Sequence, residues 1–136
     1  MKAIDHFNRY VSNVDKFIDF YTKVLEYELI DKGIKGNGKP YAILKGHGHE
    51  LFISEKDNFK IEREKNFRHL GYSIENVDEF LEKLKQKGYV EKDKEIIVKT
   101  FSRQFYIKDP DGFEIDLIEW TDKKGFYEFL IEKNKK

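Results

Sequence analysis

The segment His-Phe-Asn-Arg-Tyr-Val-Ser-Asn-Val-Asp-Lys-Phe at residues 6–17 is echoed by His-Leu-Gly-Tyr-Ser-Ile-Glu-Asn-Val-Asp-Glu-Phe at residues 69–80. The register is strict, because the histidine, the Asn-Val-Asp triplet and the final phenylalanine each recur 63 residues later. A repeat of this length is half a domain rather than a solenoid unit. Each copy carries a histidine, so the repeat predicts that His6 and His69 are equivalent and can converge on one site.

Composition limits the classes of protein to which the chain can belong. Its 136 residues predict a single domain, 1–136, that can bury a substantial core. The 26 basic and 26 acidic residues cancel, which disfavours nucleic acid as a partner. The absence of cysteine excludes disulfides, thiolate ligands and a cysteine nucleophile. No apolar run has transmembrane length and no signal-peptide pattern opens the chain, so we expect no membrane association and a cytoplasmic protein.

Hydrophobic periodicity predicts a first βαβββ module over residues 1–54. Residues 2–11 alternate as a strand does, and the stretch over about 14–26 has helical spacing with Asn13 as its N-cap. Glycine-rich turns then separate three short predicted strands, near 27–33, 40–46 and 49–54.

A second module, residues 67–120, repeats this order after a charged, non-periodic connector at 55–66. Asp-Pro-Asp-Gly at 109–112 is a strong hairpin-turn signal, so Asp109 and Asp111 are interpreted as turn residues. The predicted elements are a strand at 68–74, a helix at about 77–87, and strands near 95–100, 102–108 and 113–119. A C-terminal helical segment, 121–136, follows, with an amphipathic helix at about 123–133 that turns Phe126, Phe129 and Leu130 inward. The fold class is α+β, with two tandem βαβββ modules that form curled mixed sheets around a concave site.

Strand alternation separates a polar face from an apolar face in each predicted strand. In the first strand, Phe7 points away from His6 and Asn8, and the apolar side should pack on the helices. The polar side should then line the cavity. The polar set predicted in this way is His6, Asn8, Glu50, His69, Glu114 and Asp116.

Four stretches of the chain resemble the vicinal oxygen chelate superfamily, which includes glyoxalase I, fosfomycin-resistance enzymes, extradiol dioxygenases and bleomycin-resistance proteins. They are Ile-Asp-His at 4–6, Phe-Tyr-Thr-Lys-Val-Leu at 20–25, His-Leu-Gly-Tyr-Ser-Ile at 69–74, and Tyr-Ile-Lys-Asp-Pro-Asp-Gly-Phe-Glu-Ile-Asp-Leu at 106–117. The resemblance implies a concave sheet that holds a divalent metal. The usual ligands are a histidine on the first strand and an acid on the last strand of each module.

Carried over residue by residue, the resemblance implies His6, Glu50, His69 and Asp116 as metal ligands. Asp116 departs from the family pattern, which has glutamate there, so Glu114 stays open as a substitute two residues away. Imidazole and carboxylate ligands suit Zn, Ni, Mn, Co or Fe. Glu50 or Asp116 would also serve as the catalytic base.

Further residues divide between substrate binding and plain structure. The resemblance turns Ser102, Gln104 and Tyr106 toward the cavity, where they and Asn8 are candidate substrate-binding residues. The remaining histidines, His47 and His49, flank a glycine and are expected to be exposed turn residues.

The first functional hypothesis is a glyoxalase-like metal-dependent lyase or isomerase that acts on a small substrate chelated through vicinal oxygens. A fosfomycin-type thiol transferase is a second enzyme hypothesis, and an extradiol dioxygenase is less favoured because those chains are commonly longer. The alternative class is a metal-free small-molecule or antibiotic-binding protein like the bleomycin-resistance members. The resemblance also favours a homodimer in which the first module of one chain faces the second module of the other.

Overall fold

The computed structural model describes residues 3–62, 64–65 and 67–135. Positions 1, 2, 63, 66 and 136 lie outside the described residues. These positions include the predicted start of the first strand at residue 2, two residues of the predicted connector, and the last residue of the predicted C-terminal segment.

The first module is a four-stranded mixed sheet with one helix. Its elements are β1 (His6–Val11), α1 (Val14–Lys23), β2 (Glu28–Ile34), β3 (Pro40–Gly46) and β4 (His49–Glu55). The strand order is β1-β4-β3-β2, in which β1 runs parallel to β4 and the other pairs are antiparallel. The helix ends earlier than predicted because the chain leaves the helical region at Glu26, whose φ is 60°.

The second module repeats this architecture. Its elements are β5 (His69–Ser73), α2 (Val77–Gln86), β6 (Ile97–Val98), β7 (Ser102–Lys108), β8 (Glu114–Trp120) and α3 (Lys123–Lys133), with strand order β5-β8-β7-β6. Again the first and last strands are parallel neighbours. The α+β fold of two βαβββ modules and a C-terminal helix is therefore confirmed. Strand β6 is much shorter than the predicted 95–100, because only Ile97 and Val98 pair with β7.

The chain divides into two compact units. One comprises Met1–Asn66 with the β7–β8 turn Asp109–Phe113, and the other comprises Phe67–Lys108 with Glu114–Lys136. The predicted modules fall one in each unit, apart from that turn, and the predicted connector lies in the first unit.

Both module helices begin with the same pair of contacts. Asn13 accepts a hydrogen bond from the Lys16 backbone N–H at 3.0 Å, and Asn76 accepts one from that of Glu79 at 3.1 Å. The backbone N–H at the first helical position donates to a glutamate near the end of the module's last strand. This glutamate is Glu55 in the first module, at 3.0 Å, and Glu119 in the second, at 2.8 Å. A carboxylate there satisfies an unpaired donor and complements the positive end of the helix dipole.

The apolar faces of strands and helices form the core of each unit, as alternation predicted. Fully buried side chains of the first unit include Val11, Phe17, Tyr21, Leu44 and Ile53. Those of the second unit include Val77, Leu84, Phe105, Ile115 and Leu117.

The predicted inward face of α3 is partly wrong. No residue of Lys123–Lys133 is buried. Phe126 and Leu130 are half-buried, and Phe129 is 54% exposed. The helix covers a hollow in its unit rather than the packed core, so its aromatic face keeps contact with solvent. None of the helices in the described part of the chain is both long and apolar enough to cross a membrane.

A buried carboxylate organises the β7–β8 turn in the first unit. Asp109, 4% exposed, accepts hydrogen bonds through Oδ2 from Arg9 Nη1 at 3.1 Å and from the Tyr21 hydroxyl at 2.9 Å. Its Oδ1 accepts from the backbone N–H groups of Asp111 and Phe113. Burial raises the pKa of Asp109, and the Arg9 charge opposes that rise. These bonds confirm that Asp109 is a structural turn residue.

Replacing Asp109 tests how much this hydrogen-bond network contributes to stability. Asp109→Ala strands the Arg9 guanidinium and two turn N–H groups, so we expect a loss of about 3–5 kcal/mol in the free energy of unfolding. Asp109→Asn keeps one acceptor for the turn and should lose roughly 1–3 kcal/mol. Urea unfolding followed by circular dichroism measures both. Equal losses in the two variants would contradict a role for the turn acceptor.

Candidate functional site

His6 lies on β1, directly across from Glu50 of the parallel strand β4. Its Nδ1 is 2.7 Å from Oδ2 of Asp5, and its ring stacks on Phe52 with centroids 4.8 Å apart. The contact with Asp5 occupies Nδ1 and leaves Nε2 as the nitrogen that is open to a further partner. Asn8, the neighbouring candidate on the same face, is exposed.

His69 occupies the corresponding position in the second module, across from Glu114 on β8. Its Nδ1 lies 3.6 Å from Oε1 of Glu114, and its Nε2 lies 4.0 Å from Oδ2 of Asp116. Both distances exceed hydrogen-bond length, and within the described residues Nδ1 is buried without a hydrogen-bond partner. Each histidine therefore has its Nδ1 beside a carboxylate.

Cross-strand register reveals an asymmetry in the predicted ligand set. His6 pairs with Glu50, and His69 pairs with Glu114, so Glu50 and Glu114 are equivalent positions 64 residues apart. Two residues further along each last strand, the position equivalent to Asp116 is Phe52. The four predicted ligands thus combine Glu50 from one register position with Asp116 from another.

Asp116 is held by a chain of polar side chains on β7. The Gln104 amide Nε2 is 2.9 Å from Oδ2 of Asp116 and 2.9 Å from the Tyr106 hydroxyl oxygen. Ser102 donates to Oε1 of Gln104 at 3.2 Å, which orients the amide so that its NH2 group faces the carboxylate. Tyr106 accepts from Gln104, so its own hydroxyl proton is left to donate elsewhere. Two of the predicted substrate-binding residues, Gln104 and Tyr106, therefore lie beside Asp116, and Ser102 is connected to it through Gln104.

This environment shifts two titrating groups. Burial raises the pKa of Asp116, which is only 7% exposed; His69 and the Gln104 hydrogen bond oppose the rise, whereas Glu114 adds to it. Burial also raises the pKa of Tyr106, and the Asp116 and Glu114 charges reinforce that rise. At neutral pH Tyr106 is therefore a hydrogen-bond donor, and Asp116 binds a proton more readily than an exposed aspartate does.

These polar groups line a cavity of about 580 Å³ in the second unit. His69, Gln104, Tyr106 and Asp116 contribute one part of its lining. Ser102 also lines the cavity. Sequence reasoning missed the rest of the lining, which consists of Lys99, Thr100, Phe101, Ile118, Trp120, Phe126 and Phe129. Alternation along β8 was a usable signal for two of them, because Asp116, Ile118 and Trp120 share one strand face.

The donor set fits a divalent metal in chemistry but is incomplete within each unit. His69 and Asp116, whose Nε2 and Oδ2 atoms are 4.0 Å apart, supply an imidazole nitrogen and a carboxylate oxygen, and divalent ions bind both types of donor. Among the described residues, however, no group of three or more His, Cys, Asp or Glu side chains is arranged to hold a metal ion. His69 and Asp116 are therefore two candidate ligands, which we call the half-site, and they are fewer than a metal ion requires.

The other two histidines, His47 and His49, make structural contacts within the first unit. Nε2 of His47 lies 2.6 Å from the carbonyl oxygen of Leu25, and the ring is exposed as predicted. His49 was expected to be exposed, but it is half-buried, with Nε2 2.8 Å from the hydroxyl oxygen of buried Tyr27. The expectation failed because His49 begins β4 rather than belonging to the turn.

Burial of Asp116 predicts a stability cost that depends on pH. Since its folded pKa lies above the unfolded value, the folded state binds the proton more tightly, and stability falls as pH rises through that window. Asp116→Asn removes the titrating carboxyl group and with it this pH-dependent cost. We expect metal-free Asp116→Asn to gain stability over the wild type at pH 7 and to lose that advantage on acidification to pH 4.

Urea unfolding in the presence of a chelator, at several pH values, measures this difference. Asp93→Asn, at an exposed position, provides the background effect of removing one carboxylate. An advantage that is independent of pH would show that Asp116 carries no such cost.

Comparison with known families identifies the group of proteins that shares this architecture. A family model described as the Glyoxalase/Bleomycin resistance protein/Dioxygenase superfamily matches residues 3–117. Lactoylglutathione lyase of Escherichia coli O157:H7 is 29% identical over 119 residues, which cover 82% of this chain and 88% of that protein. A probable lactoylglutathione lyase of Synechocystis is 26% identical over 121 residues, or 84% and 92% of the two chains.

Solved structures agree with this assignment. A glyoxalase family protein from Enterococcus faecalis superposes with a TM-score of 0.72 at 26% identity, covering 87% of this chain and 98% of that one. The fosfomycin resistance protein FosX from Listeria monocytogenes, in complex with Mn(II) and sulfate, superposes with a TM-score of 0.68 at 19% identity, covering 93% and 98%. At that identity the second likeness concerns the fold alone.

Proposed function

Because this chain belongs to the glyoxalase/bleomycin resistance protein/dioxygenase superfamily, we propose that it is a divalent-metal enzyme, a lyase or isomerase of the glyoxalase type. The observation that carries the proposal is the buried Asp116 carboxylate facing Nε2 of His69 within a cavity. A buried carboxylate with a raised pKa beside an imidazole is costly for stability, and such costs concentrate at functional sites.

The proposed metal ligands are His6, His69 and Asp116, with Glu50 as the fourth candidate. Neutral imidazole and carboxylate ligands suit Zn, Ni, Mn, Co or Fe. Asp5 beside Nδ1 of His6, and Glu114 beside Nδ1 of His69, would both keep Nε2 directed at the ion. In this proposal Glu114 positions His69 and does not bind the metal itself.

A divalent ion held by these residues would supply Lewis-acid polarisation of substrate oxygens. The residues of the chain provide the rest of the chemistry. Asp116, or Glu50, would accept a proton from the carbon next to a substrate carbonyl and return it to the neighbouring carbon. Tyr106 donates its free hydroxyl proton to a substrate oxygen, while Gln104 holds both Tyr106 and Asp116 in place. Asn8 and Ser102 are the further proposed substrate contacts.

Metal content tests the ligand assignment directly. His6→Ala and His69→Ala should each abolish stoichiometric divalent metal in protein purified without a histidine tag. Asp116→Asn should weaken metal binding by at least about tenfold, roughly 1.4 kcal/mol, whereas Glu114→Gln should have a smaller effect. Elemental analysis and calorimetric titration measure these changes, and circular dichroism checks that each variant folds.

The register offers a sharp internal control for this ranking. If Glu114→Gln proves worse than Asp116→Asn, the ligand position is that of Glu114, and its equivalent Glu50 should then be equally sensitive. If Asp116 is the ligand, Glu50→Gln should weaken metal binding less than Asp116→Asn does, because the position in the first module that is equivalent to Asp116 is Phe52 and not Glu50. Unchanged metal content in both histidine variants would refute the metal enzyme.

A metal-free small-molecule-binding protein is a second candidate function, favoured by the aromatic side chains of the cavity. A chelator distinguishes the two candidates. Ligand binding that persists unchanged in excess chelator supports a binding protein, and binding that requires the divalent ion supports the enzyme.

We further propose a homodimer in which His6 of one chain and His69 of its mate serve the same ion. Two-fold pairing is the commonest assembly of soluble homo-oligomers, and it supplies the ligands that the half-site lacks. Refolding a mixture of His6→Ala and His69→Ala chains tests this arrangement. Shared sites place both lesions in one site of each mixed dimer and leave the other site intact. Each mixed dimer should therefore bind one metal ion, and a 1:1 mixture that pairs at random should recover about a quarter of the wild-type metal binding. Monomers in light scattering, or mixed dimers without metal, would contradict it.

A further inference from the structure

The part of the cavity farthest from Asp116 is built from four aromatic side chains, which we call the aromatic wall: Phe101, Trp120, Phe126 and Phe129. Trp120 and Phe126 have ring centroids 5.0 Å apart, and Phe101 lies 5.9 Å from both Phe126 and Phe129. Helix α3 supplies two of these rings on one face. Phe129 is 54% exposed, so the wall presents apolar surface to the cavity instead of packing in the core.

Strand geometry separates this wall from the polar groups. Asp116 and Trp120 share a face of β8 and are four residues apart, which corresponds to about 13 Å along a strand. On β7, Tyr106 pairs with Asp116 and Ser102 pairs with Trp120, so both strands run from the polar end to the aromatic end. The cavity can therefore hold one elongated molecule with chemically different ends.

Charge in and around the cavity restricts the ligand further. Lys99 lines the cavity, and Nζ of Lys123 lies 5.1 Å from the centre of the Trp120 ring. A lysine already occupies the favourable position over that ring, so a cationic ligand is disfavoured. Among the described residues the lining includes one lysine and no arginine, which is a poor match for a peptide thiol with two carboxylates.

We propose that the substrate has vicinal oxygens at one end and a flat aryl body, neutral or anionic, at the other, with the aryl group bound against the aromatic wall. This inference rests on the proposed function for the position of the oxygens. Phe129 is then a specificity-determining residue, since it contributes to the wall without contacting the polar groups beside Asp116.

Four probes separate the head from the tail of such a molecule. All four are tested on protein loaded with Mn²⁺. Naphthohydroxamate has a chelating head and an aryl tail, whereas acetohydroxamate has the chelating head alone. Naphthamide has the aryl tail without a chelating head, and naphthylmethylammonium has an aryl tail that carries a positive charge. Calorimetry measures affinity. Trp120 is the only tryptophan in the chain, so quenching of its fluorescence reports occupancy of the wall.

Phe129→Ala and Tyr127→Ala form a matched pair on α3. Both residues are aromatic and nearly equally exposed, 54% and 53%, but only Phe129 lines the cavity. We expect naphthohydroxamate to bind the wild type at least about tenfold more tightly than acetohydroxamate, and Phe129→Ala to remove most of that advantage. Tyr127→Ala should retain it. Circular dichroism confirms that α3 persists in both variants.

Several outcomes would overturn the proposal. These are equal affinity of the two hydroxamates, an equal loss in both α3 variants, and tightest binding by the ammonium probe. A fourth is a Phe129→Ala variant that changes the oligomeric state but not the affinity ratio, which would make the wall an interface between copies of the chain. If neither hydroxamate responds to Mn²⁺ while naphthamide still quenches Trp120 in a Phe129-dependent manner, the aryl site stands and the metal enzyme fails.

Discussion

The parallel pairing of the first and last strands in each module is the constraint on which the rest of this structure depends. It places β1 beside β4 and β5 beside β8, although more than 40 residues separate His6 from Glu50 and His69 from Glu114. Because side chains alternate along a strand, this pairing decides at once which residues share the polar face and which enter the core. It also brings Glu55 and Glu119 to the start of α1 and α2, so the strand pairing and the helix position reinforce each other.

The two modules have the same backbone plan but unequal chemistry. In the second module, Gln104 and Tyr106 surround Asp116, and a continuous hydrogen-bonded chain results. In the first, the position equivalent to Asp116 is Phe52, whose ring stacks on His6. A duplicated architecture can tolerate this divergence, because the polar face of the first sheet is partly exposed while the opposite face holds the core. The buried carboxylate that faces the cavity, Asp116, belongs to the second module.

Helix α3 gives the second unit a feature that the βαβββ plan does not require. It follows β8 directly and lays Phe126 and Phe129 beside Phe101 and Trp120, with its other face in solvent. The helix contributes no buried side chain, so its sequence is only weakly constrained by core packing. Substitutions in a segment of this kind can change the cavity wall beside the polar residues without disturbing the sheets.

Local patterns in the chain were sufficient for the elements and their order. The Asn-Val-Asp repeat marks the helix starts, Asp-Pro-Asp-Gly marks a turn, and alternation assigns His6, His69 and Asp116 to polar faces, because these signals depend on neighbours a few residues away. Cross-strand register depends on residues far apart in the chain, so local sequence patterns could not predict the equivalence of Phe52 with Asp116. The same holds for the burial of Asp109 under Arg9 and Tyr21, and for the exposure of Phe129. Helical spacing shows which side chains share a face, but whether that face meets a packed core or an open cavity is a property of the folded chain.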